Sequence, residues 1–193
     1  PDGTYRTYEE MKAEGIETKY TVTYETTATK GLCELNPNTG VGDPAPTYSY
    51  VCTIAEVAVD VKTGKTTVLR YTCVDDMGVT GNPHALDGQA YGGISHCIGF
   101  ALSEIYEDVK KHKNIVACGI PTIKDIPDDI RLIHMETPRE YGPFGSAGCS
   151  EGYQSCGHVC ILNAIYNACG VRIFELPATP EKVKAGLDLL AAG

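Results

Sequence analysis

Val57-Ala58-Val59-Asp60-Val61, then Lys62-Thr63-Gly64-Lys65, then Thr66 to Val74 is the stretch that decides the fold. Val57, Val59 and Val61 alternate with Ala58 and Asp60, the period of two of a half-buried strand. Lys62-Thr63-Gly64-Lys65 forms a short turn in which Gly64 suits a positive φ. Thr66 to Val74 returns as the partner strand, so the spacing predicts an antiparallel hairpin. Downstream, from Pro83 to Glu107, the period lengthens. Leu86, Ala90, Ile94 with Cys97, Ala101 with Leu102, and Ile105 recur at steps of three and four, which predicts a long helix. Asn82 suits its N-cap and Pro83 its first turn.

Outward from this pair, residues 1–15 read as a charged helix, with Tyr8, Met11 and Lys12 among acids. Tyr20-Thr21-Val22-Thr23-Tyr24 is β-branched and aromatic, and predicts a strand. Residues 30–47, with Gly31, Asn36-Pro37, Gly40, Gly42, Pro44 and Pro46, form a long loop. Towards the C-terminus, residues 118–129 are turn-rich, and Ile130 to Met135 predict a strand. Gly142 to Gly148 make a glycine-rich loop. Val159 to Ala168 form an apolar helix closed by Gly170. Thr179-Pro180-Glu181 opens a last helix, with Thr as cap and Pro at the first position. No internal repeat and no clear linker divides the chain.

Composition narrows the function. A length of 193 residues fits one domain or two small ones, and 42% apolar with 21% charged residues excludes wholesale disorder. Twenty-five acidic against 16 basic residues give a net charge of −9, with no basic cluster beyond Lys110–Lys113. That excludes a nucleic-acid footprint and an anionic membrane surface as partners. No apolar run approaches the ~20 residues that span a bilayer, and no signal peptide is visible. Nine cysteines, an odd number scattered from Cys33 to Cys169, predict reduced, buried thiols in a cytoplasmic protein rather than a disulfide framework. The start at Pro1 implies processing, or a piece of a longer chain.

Three stretches could carry chemistry. Gly142 to Glu151 joins closely spaced glycines to a following helix, so backbone N–H groups can approach an anionic or strongly accepting ligand. Glu151 there is either a positioned general base or a plain helix-start residue. Cys149, Cys156, His158 and Cys160 are of the zinc-ligating types, but their spacing matches no usual knuckle, and on a helix His158 points away from Cys156 and Cys160. Buried thiols beside a capping histidine explain them better, and no metal site is assigned. Gln89, with Gly88, Gly92 and Gly93, offers an amide that could read a heterocycle edge, or is simply a solvated polar residue. Each of the helix glycines 88, 92, 93 and 99 costs ~0.5–1 kcal/mol relative to Ala, so their number suggests close approach of a backbone or a ligand. His84, His96, His112 and His134 sit singly, with no nucleophile–base arrangement among them.

Taken in order, these segments resemble one family. Asp76-x-Gly78, Asn82-Pro83, Gly88-Gln89-x-x-Gly92-Gly93 and Gly99-x-Ala101-Leu102-x-Glu104 are similar to the central helix segment of the molybdenum hydroxylases, the xanthine dehydrogenase and aldehyde oxidase family. Ile120-Pro121-Thr122-x-x-Asp125-Ile126-Pro127 resembles the next turn of that family. Gly142-Pro143-Phe144-Gly145-Ser146-Ala147-Gly148-x-x-Glu151 resembles its active-site loop. Val171-Arg172-Ile173-x-x-Leu176-Pro177-Ala178-x-Pro180-Glu181-Lys182-Val183 is similar to its C-terminal close. The likeness runs over about 130 residues in order, and the bacterial aldehyde oxidoreductases are the branch it resembles most.

The resemblance implies an α+β fold: a mixed twisted sheet with the hairpin at its centre, and the long helix and a 153–169 helix packed on it. It implies that residues 1–193 are the C-terminal part of a larger molybdopterin-binding domain, with 1–45 a lead-in strand and loop and 46–193 the core. It implies a molybdopterin cofactor with molybdenum, in bacteria often the cytosine dinucleotide form, and oxidation of an aldehyde or N-heterocycle with water-derived oxygen. By position Glu151 becomes the base, Gln89 a side-chain contact, and Gly145, Ser146, Ala147, Gly148 and Cys149 backbone contacts to the pterin. The implied partners are the upstream half of the subunit and an iron–sulfur subunit or domain, with FAD in some members. No cluster-type cysteine spacing occurs here. On this reading the isolated chain holds no cofactor and is inactive. The chain departs from the family at Ser150, usually Gly, and at Gly152-Tyr153-Gln154-Ser155-Cys156-Gly157, usually a turn with Pro and a branched apolar residue. A positive φ at 150 would be refused by the serine Cβ. These departures keep an alternative open, a non-catalytic ligand-binding or assembly module that retains the fold.

Overall fold

The structure is a computed structural model that describes residues 5–23, 33–45 and 47–192. It divides into two units, Pro1–Pro44 and Ala45–Gly193. In the first, helix α1 spans Tyr8–Ala13 and buries no residue. A capping box starts it: Thr7 Oγ1 accepts from Glu10 N–H at 3.2 Å, and Glu10 Oε2 accepts from Thr7 N–H at 2.7 Å. With no apolar face to pack, six of the described residues 5–15 hold the predicted helical conformation, and residues 1–4 of that prediction lie outside the described residues. Residues 20–23 pair in no strand, and Tyr24 lies outside the described residues. Within the predicted loop, whose residues 30–32 and 46 lie outside the described residues, Cys33 and Asp43 form a bridge and Asn36 Oδ1 accepts from Asn38 and Thr39 N–H.

The second unit is built on the hairpin. Strand β1, Tyr50–Val59, pairs antiparallel with β2, Thr66–Asp76, with a bulge at Glu56/Val57. The turn is longer than predicted. Asp60 closes the hairpin, its N–H donating to Lys65 O at 2.9 Å, its Oδ1 accepting from Lys62 N–H at 2.8 Å and its carbonyl from Gly64 N–H at 2.7 Å, and Gly64 takes φ 76°. Val61 is therefore an exposed turn residue rather than the end of the strand. Strand β3, Asp129–Met135, joins β2 in parallel, giving the order β1-β2-β3. The sheet is mixed, and β2 rather than the hairpin as a whole is its centre. Along β2, Tyr71, Cys73 and Asp75 fall on one buried face by the period of two.

Helix α2, Pro83–Leu102, carries Leu86, Ala90, Ile94 and Ile98 into the core, with Asn82 Oδ1 accepting from Ala85 N–H at 3.1 Å as its cap. It ends five residues before the predicted Glu107. There Ser103 and Glu104 N–H both turn back to the Gly99 carbonyl, and Ile105 N–H bonds Cys118 O instead of continuing the helix. Helix α3, Gly157–Cys169, lies against β1 and α2 and stops at Gly170, φ 77°. Its start at Gly157 falls between the two predicted ones, two residues before Val159 and four after residue 153, because Glu151–Gln154 winds as a separate 3-10 turn. Helix α4, Pro180–Ala192, adds Val183 to the core.

The glycines of α2 divide in two. A Cβ on Gly93 would lie 2.4 Å from the Cβ of Tyr153, whereas Gly88 and Gly92 face open space. Gly157 is equally constrained: its Cβ would meet the Tyr71 hydroxyl at 2.1 Å and Cys97 Sγ at 2.6 Å, where α3 begins against β2 and α2. Gly93→Ala should therefore lower stability by ~1–3 kcal/mol through overpacking. Gly92→Ala should leave stability unchanged or raise it by up to ~1 kcal/mol. Urea denaturation midpoints compare the two; equal midpoints would contradict the packing at Tyr153.

Candidate functional site

Beyond Asp76 the chain leaves the sheet and meets the glycine-rich loop. Val79 N–H donates to Gly145 O at 3.0 Å and Ala147 N–H to Met77 O at 2.8 Å, around the bridge Gly78–Ser146. The Ser146 hydroxyl closes the clasp by donating to Val79 O. Gly78, at φ 72°, is required here, since a Cβ would lie 2.3 Å from Gly145 O.

Asp76 and Arg139 hold the clasp from behind. Asp76 Oδ1 accepts from Gly78 N–H at 3.1 Å and Thr137 N–H at 3.2 Å, and lies 3.0 Å from Arg139 Nη2. Arg139 also donates to Asp76 O (2.8 Å), Thr137 O (2.7 Å) and Tyr48 O (3.0 Å), and sits over the Tyr50 ring. The Thr137 hydroxyl, then the backbone N–H groups of Gly78 and Thr137 and the Arg139 charge, hold the Asp76 carboxyl below the ordinary range.

Between the clasp and the start of α2 opens a cleft of ≈ 260 Å³. Met77, Val79, Ala85 and Leu86 form its apolar floor, and Thr80, Asn82, Gln89, Ser146, Ala147 and Cys149 its remaining walls. Four residues singled out in two distant stretches of sequence, Gln89, Ser146, Ala147 and Cys149, thus face one space. Gly145 and Gly148 frame it rather than line it. The Gly145 carbonyl accepts from Val79 and Arg139, and the Gly148 carbonyl accepts from Ser49 Oγ at 2.6 Å.

Glu151 opens the 3-10 turn, is exposed, and is not among the residues lining the cleft. Ser150 stands at φ −63°, ψ −51°, an ordinary right-handed conformation, so its Cβ is accommodated. The cysteine–histidine group is dispersed. Cys149 lines the cleft, Cys156 Sγ meets Thr53 Oγ1 at 3.6 Å, and Cys160 Sγ donates to Thr53 O at 3.3 Å. Among the described residues no three metal-ligating side chains are gathered. Burial pushes the Cys73 thiol up to about 12 and the Cys97 thiol up to about 11, so both stay protonated and pack as small apolar groups.

One histidine that sequence reasoning left single is not so. His134 Nδ1 lies 2.7 Å from Asp75 Oδ2 and its Nε2 2.9 Å from Asp87 Oδ1. Asp75 is its direct partner in the parallel ladder of β2 and β3. The available signal was an aspartate at an inward position of a strand, which asks for a cation beside it.

Residues 2–127 match the family described as the molybdopterin cofactor-binding domain. The aldehyde oxidoreductase of Megalodesulfovibrio gigas is 46% identical over 187 residues, 97% of this chain and 20% of the relative. The probable hypoxanthine oxidase of Escherichia coli K12 is 34% identical over 145 residues, 73% of this chain and 15% of the relative. The solved aldehyde oxidoreductase from Desulfovibrio gigas superposes with a TM-score of 0.83 at 45% identity, covering 96% of this chain and 20% of that one. The chain therefore spans 15–20% of the length of these relatives.

The clasp carries a pH signature. A carboxyl depressed in the folded state contributes stability above its ordinary value, ~3.9, and loses it as pH falls through the folded value. The Gly78 and Thr137 amide resonances should therefore shift together as pH falls below ~4. Asp76→Asn should remove that titration and loosen the loop at neutral pH. Amide shifts that stay flat in the wild type would contradict the anchoring role.

Proposed function

The chain belongs to the molybdopterin cofactor-binding domain family, and from that premise we propose that its cleft holds part of a molybdopterin-type cofactor within a longer molybdenum hydroxylase subunit. The observation that carries this reading is the convergence of Gln89, Ser146, Ala147 and Cys149 on one cleft at the start of a 20-residue helix.

The groups present suit such a cofactor. The apolar floor of Met77, Val79 and Leu86 matches a flat heterocycle. The exposed Gln89 amide has two donors and an acceptor for the edge of a ring. Asn82 uses its Oδ1 as the helix cap, leaving its amide donors for a ligand. The positive end of α2 favours a phosphate, which both the simple pterin and its cytosine dinucleotide form carry. When bound, the molybdenum centre supplies two-electron redox chemistry for an aldehyde or N-heterocycle oxidised with oxygen from water.

This chain's own parts are then distinct. Gln89 and the backbone from Gly145 to Cys149 orient the pterin, with Gly145 and Gly148 framing the loop. Glu151 is the general base that accepts the proton given up by water. The upstream half of the subunit completes the other side of the site, and an iron–sulfur subunit or domain, in some members with FAD, receives the electrons. The 193 residues alone are expected to retain no molybdenum and to be inactive. Among the described residues no helix is long and apolar enough to cross a membrane. All nine cysteines are free, which supports a reduced, cytoplasmic setting.

The exposed position of Glu151 favours one second reading, a module that binds the cofactor or assists assembly without catalysis. Glu151→Gln in the full-length protein separates the two. If Glu151 is the base, turnover should fall by ~10²–10⁴-fold with pterin and molybdenum content unchanged. Retained turnover would remove Glu151 from the chemistry, and absence of turnover in the wild type would support the module.

A further inference from the structure

The end of β2 holds a charged cluster that the proposed function does not use. Asp75 has a fully buried side chain, two residues before Met77 of the cleft floor. Asp87 stands on α2 between Leu86, on the cleft floor, and Gln89, on its edge. His134, on β3, lies between the two carboxylates, with 18% of its side chain exposed.

A neutral imidazole has one N–H and one lone pair, so it can donate to one carboxylate only. The lone pair would then face the second carboxylate within 3 Å, both being acceptors. Contact at 2.7 and 2.9 Å through both nitrogens requires an additional proton among the three groups, and with it on the ring the imidazolium donates to both carboxylates. We propose that His134 is a positioning residue for the cofactor cleft, tying the first turns of α2 to the end of β2 only while its ring is protonated on both nitrogens. The name of the cleft's occupant rests on the function proposed above; the tie itself does not.

The surroundings set the sign. From β2 come Asp75, Asp76 and Cys73, from α2 Asp87, from the segment after β3 Glu136, and from the 3-10 turn Tyr153, while Arg139 is engaged with Asp76. Burial favours the neutral ring, but the hydrogen bonds and charges of Asp87 and Asp75 outweigh it, so His134 titrates above its ordinary value. Burial likewise raises Asp75, against the opposing effect of His134. The folded state therefore holds more protons than the unfolded state at both groups, and the tie weakens as pH rises. The His134 contribution is complete below ~6.5 and is lost as pH passes through the raised folded value.

The test uses full-length protein, with two readouts. The first is hydrogen–deuterium exchange over residues 83–89 against pH, corrected for intrinsic exchange. The second is pterin released on gel filtration, measured by fluorescence. In the wild type, exchange over 83–89 should rise by about tenfold in a one-proton step above roughly pH 6.5, and pterin release should follow it. Asp87→Asn should abolish the step and keep the pterin, because an amide can donate to the lone pair of a neutral ring while Nδ1–H still serves Asp75. His134→Leu should release pterin at every pH and show no step. A step in exchange without pterin release would uphold the tie and overturn the cleft assignment. No step in the wild type, or an unchanged step in Asp87→Asn, would overturn the proposal. A melting curve for each variant separates loss of the tie from global unfolding.

Discussion

The candidate site depends on a two-bond antiparallel clasp, Val79 to Gly145 and Ala147 to Met77, where β2 leaves the sheet. Two hydrogen bonds contribute only about 0.5–1.5 kcal/mol each, so they cannot hold a glycine-rich loop unaided. What makes the clasp durable is the group behind it. Arg139 spends its donors on three carbonyls and a carboxylate of this region, and Asp76 accepts from both connected segments. The pair is also mostly buried, with 12% and 18% of the side chains exposed, which removes much of the solvent screening that makes surface ion pairs weak. The glycines can then serve close approach without leaving the loop free to wander.

Charge is concentrated at this end of the sheet for the same reason. Asp76, Asp87 and Glu136 gather around His134 and its partner Asp75, in a chain that already carries a net charge of −9. Unopposed, they would repel, and Asp75 would be an uncompensated buried charge costing several kcal/mol. His134 and Arg139 are the two cations that make the arrangement tenable, each shared between an aspartate and a second acceptor. The opposite end of β2 has no such requirement. There Arg70 reaches Glu56 on β1 and Asp129 on β3 across an exposed face, where pairing contributes little.

Local signals were legible in the sequence wherever one residue type answers one backbone demand. Asn82 as cap, Gly64 in the turn, Gly170 as helix stop and the 2-versus-3.6 periodicity of β2 and α2 all read directly. The α+β fold and the family followed from the order of short motifs. What could not be read depends on contacts between distant segments. The parallel docking of β3 beside β2, which places His134 against Asp75, has no local signature. Nor do the early end of α2 at Leu102, set by a backbone bond from Ile105 to Cys118, and the failure of the 20–23 stretch to pair. The glycines of α2 show the limit well: two identical residues, Gly92 and Gly93, differ only because Tyr153 stands against one of them. For the site, the convergence of Gln89 with Ser146, Ala147 and Cys149 was implied by resemblance; the cleft gives that grouping a physical basis.

The turn that follows the loop shows how a departure from the family pattern can be accommodated. Tyr153 is fully buried against Gly93, and a Cβ at Gly152 would lie 2.8 Å from Met77 Cε, so the backbone of the turn is pressed onto α2 and onto the clasp. Its position is therefore set by its second and third residues, not by Glu151. Ser150, in a right-handed conformation, adds no strain. A carboxylate carried on such a turn has a fixed Cα and an untethered side chain. Preorganised catalysis needs a locked rotamer, so for Glu151 that lock would have to come from groups outside the described residues. Tyr153 anchors this turn through area and a buried ring, where a proline would anchor a chain through φ.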